Sequence, residues 1–159
     1  MTKEGLIATA NGLTPPDAPW VREFSEKREE LAAGVNRAMA ARPDLEKLVG
    51  PDGKRMTEDN NRNFSLFMES LMMHYKAEVL VDTVLWVFRA YRAHGFTIIY
   101  WPANLNIWME TLKKELSPEA FKAIAPFYAW LITHIPALVQ LTDGAGGGNE
   151  EDLGRGLEH

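Results

Sequence analysis

The chain contains no cysteine, and that absence removes disulfides, thiolate metal sites and cysteine nucleophiles together. It has no basic excess either. Its 17 Lys and Arg stand against 22 Asp and Glu, a formal net charge of −5 at pH 7, whereas a general nucleic-acid binder shows a basic stripe. Nucleic acid is therefore not an expected partner. No apolar run reaches the roughly 18 to 20 residues of a membrane span. The longest, Val79–Phe88, is interrupted by Asp82 and followed by Arg89 and Arg92, so no membrane insertion is expected. The first twelve residues hold too short an apolar core for a signal peptide, and a disulfide-free chain suits the cytoplasm. Also missing are strand alternation, hairpin dipeptides, internal repeats, a Gly-rich phosphate loop and a Ser-His-Asp set. Gly146–Gly148 has no strand before it and no helix after it.

What remains is helical. At 159 residues and 46% hydrophobic, the chain has the size and composition of one globular domain. Residues 1–16 show no helical period and run into Pro15-Pro16, which predicts a flexible arm. Asp17 and Pro19 then mark a helix start, and Val21, Phe24, Leu31, Val35 and Ala38 recur at three- and four-residue spacing until Pro43. A short turn with Leu45, Leu48 and Val49 precedes the loop signal Gly50-Pro51-Asp52-Gly53. From Thr57 or Asp59, the residues Phe64, Phe67, Met68, Leu71 and Tyr75 form the next buried stripe.

The stretch Val79–Leu116 reads as the centre of the bundle. Its first helix is apolar on nearly every side, which places it in the interior. Gly95 stops that helix just past its end. Trp101, Leu105, Trp108, Leu112 and Leu116 form the stripe of the helix that follows, with Thr97 as a cap and Pro102 as either a kink or the true start. Ser117-Pro118 opens the last helix, which Pro126 and Pro136 must bend or split. From residue 143 onward the composition turns to Gly and acid. These features predict an all-α bundle of five or six helices over 17–142, with a flexible tail at 143–159. The ending Leu157-Glu158-His159 looks like a purification-tag remnant, and the chain is then expected to be one domain of a longer protein.

Three constellations carry possible chemistry. His74, Glu78 and Asp82 stand at i, i+4 and i+8, and one continuous helix would align them as part of a metal site; the bland alternative is a polar seam. Asp82 sits between Val81 and Val84, so it is expected to be a buried carboxylate in a structural ion pair, with Arg89, Arg92, Lys76 or Arg62 in reach. His94 and His134 are candidates for a haem ligand, or else packed side chains and helix-end groups. The aromatics around Tyr100 and Trp101 serve core, dimer contact or a ligand pocket.

The run Ala90-Tyr91-Arg92-Ala93-His94-Gly95-Phe96-Thr97, followed by the aromatic helix Tyr100–Leu116, resembles the core of globin-like bacterial sensor domains. The resemblance is to the N-terminal domain of RsbR-type stressosome proteins and, more distantly, to globin-coupled sensors. It covers Thr57–Thr142, with Gly95, Phe96, Thr97, Trp101, Leu105 and Trp108 at matching places. It implies a globin-like fold and a non-enzymatic, homodimeric sensory domain of bacterial signal transduction and stress response, passing its signal to an output domain. In haem-binding relatives the ligand histidine precedes the glycine by about one turn; here Tyr91 holds that place. The resemblance therefore implies the haem-less branch, whose vacated pocket can hold an apolar small ligand. Met72, Leu85, Tyr91, Tyr100 and Trp101 are the expected pocket residues. A haem-binding gas or redox sensor is the alternative, and a helical metal protein or enzyme the second.

Overall fold

The computed structural model describes residues 1–146, and these are all-helical, without strands. Seven helices appear among them: α1 Lys3–Ala10, α2 Ala18–Ala40, α3 Leu45–Val49, α4 Lys54–Met73, α5 Ala77–Ala93, α6 Tyr100–Glu115 and α7 Pro118–Gly146. The expected tail from residue 143 begins inside α7, and its remainder lies outside the described residues.

The first correction concerns the arm. Residues 3–10 form a helix, capped by the Thr2 hydroxyl, which accepts from the Gly5 N–H at 3.0 Å. Leu6 and Ala10 are fully buried in the common core. The Trp130 indole donates to the Thr9 hydroxyl at 3.0 Å, and the Tyr75 hydroxyl donates to the Ala10 carbonyl at 2.5 Å. Two buried side chains in eight residues are too few for a periodic signal, so the helix is held by its tertiary partners.

A second correction moves the centre of the molecule. Alpha5 leaves Glu78, Val79 and Asp82 exposed and packs on α1 and α7. The element that touches α1, α2, α5 and α6 together is α7, which buries Ala120, Ile124, Phe127, Tyr128, Trp130, Leu131 and Leu138. It runs unbroken through Pro126 and Pro136. Over residues 118–143 it is also long and apolar enough to cross a bilayer, a length the sequence pattern does not assign to any run.

Helix ends follow the local chemistry. Ser117 caps α7 by accepting from the Ala120 N–H at 3.2 Å, with Pro118 at the first helical position. Glu23 of α2 accepts from the Ser117 N–H at 2.7 Å and from its hydroxyl at 2.8 Å. Burial raises the Glu23 pKa, but these bonds and Lys27 outweigh it and hold the carboxyl below its ordinary value. Pro102 lies in the first turn of α6, so it marks a start and not a kink. Thr97 does not cap that helix; its N–H donates to the Leu48 carbonyl at 2.9 Å. Neither Thr57 nor Asp59 starts α4, which begins at Lys54; the Thr57 hydroxyl instead meets that of Tyr100.

Candidate functional site

Gly95 sets the geometry of the site. It adopts φ +95°, and α5 closes in a Schellman motif: Phe96 N–H donates to the Tyr91 carbonyl and Gly95 N–H to the Arg92 carbonyl, each at 3.1 Å. The hydrophobic contact that accompanies this motif is present as the Tyr91 and Phe96 rings, with centroids 5.0 Å apart. Tyr91 is thereby fixed at the end of α5, against Trp101 of α6 at 6.0 Å in an edge-on arrangement.

At the other end of α5, the chain breaks at residues 74–76. His74 takes φ −138° and ψ 66°, and Lys76 is extended, so α4 and α5 are separate helices. Alpha4 turns toward α2 and α3, while α5 packs on α1 and α7. The two helices part, and a cleft of about 280 Å³ opens between them.

Alpha4 lines this cleft with Asn60, Asn63, Phe64 and Phe67, and α5 with a face that includes Val84, Trp86, Val87, Phe88 and Tyr91. Trp101, Asn104 and Leu105 of α6 and Leu131 of α7 close the back. Phe88 and Trp101 stack at 4.2 Å with planes 8° apart. Behind the aromatic wall lies a buried amide network. Asn61 and Asn104 exchange amide hydrogen bonds at 2.8 and 3.1 Å, and the Trp108 indole donates to the Asn61 carbonyl oxygen at 2.9 Å. The Asn61 amide also donates to Asn36 at 2.8 Å. Beside it, the Tyr100 hydroxyl meets the Thr57 hydroxyl at 2.6 Å and accepts from the Asn60 amide at 3.1 Å.

Burial pushes the Tyr100 phenol well above its ordinary pKa, more than its hydrogen bonds lower it. Burial likewise raises Tyr91, with the Asp59 charge adding to it. Both phenols stay protonated through the neutral range. What the cleft offers is shape, apolar surface and a few polar atoms, the make-up of a small-molecule site.

Of the five expected pocket residues, Tyr91 and Trp101 line the cleft. Met72, Leu85 and Tyr100 do not; they are buried in the core, where Met72 and Leu85 face packed neighbours and Tyr100 is engaged by Thr57 and Asn60. The α4 wall and the asparagines are absent from the pattern reading. Their signal is legible in retrospect: Asn104 interrupts the Trp101–Trp108 stripe of α6, and Asn60 and Asn61 sit two turns into an amphipathic α4.

Neither histidine is among the residues that line this cleft: His94 is the exposed cap of α5, and His134 lies on α7 with its Nδ1 2.7 Å from the Trp130 carbonyl and its ring 4.6 Å from that indole. The metal constellation is also dispersed. The break at residues 74–76 takes His74 off the helix of Glu78 and Asp82, and among the described residues no group of three His or carboxylate side chains could hold a metal ion.

Asp82 is not buried. Its side chain is 56% exposed and pairs with Lys3 of α1 at 2.5 Å, a partner hidden as long as α1 is read as an arm. An exposed pair of this kind contributes at most about 1 kcal/mol. Asp82→Asn is accordingly expected to lower the unfolding free energy measured in urea by no more than about 1 kcal/mol. A much larger loss would give Asp82 a structural role that its exposure does not support.

The described residues form an all-α bundle with a mostly apolar cleft between α4 and α5. No family model, curated protein or solved structure matches the chain.

Proposed function

We propose that this chain is a globin-like, haem-less sensory domain of bacterial signal transduction. Occupancy of the α4–α5 cleft is its input, and the C-terminal end of α7 is its output. The observation that carries this reading is Arg92. It follows the cleft residue Tyr91 directly, and its guanidinium holds the last turns of α7. It donates to the Val139 carbonyl at 3.3 Å, the Thr142 hydroxyl at 3.0 Å and Asp143 at 2.7 Å. A small displacement of α5 by a ligand therefore acts on α7 through charge-assisted bonds. An output domain or partner protein would read the signal at α7. The role is regulatory and non-enzymatic, and the setting cytoplasmic. The proposal includes a homodimer, to which Leu66, Met73 and Val79 offer exposed apolar side chains on α4 and α5.

Filling the cleft tests the relay without knowledge of the ligand. Val87→Trp should change amide hydrogen exchange at residues 136–143 by at least about threefold, and Arg92→Ala should abolish that response. Changes confined to α4 and α5 would end the reading.

A further inference from the structure

We propose that the α4–α5 cleft binds a small, uncharged, planar aromatic molecule of about two fused rings that carries a hydrogen-bond acceptor. The proposal rests on the reading of the cleft as a ligand site and names what enters it.

Size comes first. A buried apolar cavity of about 150 Å³ accepts benzene. The cleft offers about 280 Å³, close to twice that. A single ring would leave half of it unfilled and lose dispersion contacts along the wall.

Charge is decided by the lining. None of its side chains is ionic. A carboxylate or an ammonium would give up its hydration without meeting a counter-charge, a cost that ordinary apolar contact does not offset. Fatty acids and other anionic amphiphiles are disfavoured on this ground.

Shape follows from the rings. Phe88 and Trp101 present a stacked pair, and Phe64 on the opposite side of the cleft packs its edge against Trp108 and Tyr128, at 5.5 and 5.6 Å. A flat aromatic guest meets faces and edges at the separations that such pairs prefer.

The acceptor is asked for by two indoles. Trp101 is 5% exposed, and its Nε1–H is buried without a partner; the Nε1–H of Trp86 is in the same state. Both residues line the cleft. Of the lining asparagines, Asn60 is engaged by Tyr100 and Asn104 by Asn61. A buried donor left unpaired is costly, and native proteins leave few. A ring nitrogen or carbonyl on the guest would supply the missing partner after a small rotation of either indole.

Three probes of nearly one shape separate these claims: quinoline, naphthalene and 2-naphthoate, titrated at pH 7.5 into the whole chain labelled with nitrogen-15. Quinoline should bind about tenfold more tightly than naphthalene, the effect expected of one buried hydrogen bond. It should also move an indole N–H resonance of Trp101 or Trp86 downfield, which naphthalene should not do. 2-Naphthoate should bind more weakly than either. Val87→Trp, which fills the cleft, should remove quinoline binding while the chain keeps its cooperative unfolding. Equal affinity for quinoline and naphthalene, tighter binding of 2-naphthoate, or unaltered binding to Val87→Trp would each overturn the proposal. Quinoline binding that leaves hydrogen exchange at residues 136–143 unchanged would uphold the ligand and end the relay, so the two readings fail separately.

Discussion

Leu6→Ala is expected to lower the unfolding free energy by about 3 kcal/mol, within the range found for buried leucines. A flexible arm would show no such effect, since exposed substitutions usually stay within about 0.5 kcal/mol. The difference arises because Leu6 is 0% exposed and α1 is packed on α5 and α7. Truncating it leaves a void between helices that are also tied by Tyr75 and Trp130, which limits how far the site can collapse. Urea unfolding measures this directly. The midpoint should fall while the slope stays constant, the mark of a change in stability and not in compactness. Removal of residues 1–11 should cost more than Leu6→Ala, because it also frees the Trp130 indole and the Tyr75 hydroxyl.

Asn61→Ala should be more costly still, about 4 kcal/mol. Asn61 is 0% exposed and joins Asn36, Asn104 and Trp108. The substitution strands a buried indole N–H and both ends of the Asn104 amide, each at about 1–3 kcal/mol when left unpaired. Part of that loss is recovered if the network relaxes, so the sum is not simply additive. A double-mutant cycle with Asn104→Ala should show coupling of at least about 1 kcal/mol, since the second substitution removes a group that the first has already orphaned. Additive losses would mean that the two amides act independently. The cleft should suffer as well, because Asn104 and Trp101 share one turn of α6 and the network fixes that helix against α4.

Much of the helical order follows from local rules. Ser117-Pro118, the φ-positive Gly95 and the spacing of Trp101, Leu105 and Trp108 are each sufficient to specify a helix end or a buried stripe. The break between α4 and α5 is different. The residues Tyr75-Lys76-Ala77 hold no Gly or Pro, and periodicity leaves open whether the helix continues. The Tyr75 hydroxyl, bonded to the Ala10 carbonyl of α1, ties that turn to a distant segment. Without the break, His74, Glu78 and Asp82 look like ligands on one face; with it they are dispersed, and a cleft opens.

The sequence by itself determined an all-α chain, the chemistry of its helix ends, and the aromatic stripe behind Gly95, because these depend on neighbours within about two turns. It also determined that Tyr91 would stand at the end of α5, where the Schellman contact with Phe96 holds it. Only the tertiary structure decided that α7 is the central helix, that Asp82 faces solvent and Lys3, and that Asn60 and Phe64 share a cleft with Trp101. Those outcomes depend on contacts between residues dozens of positions apart. Such contacts are chosen by the packing of whole helix faces, which no local spacing encodes.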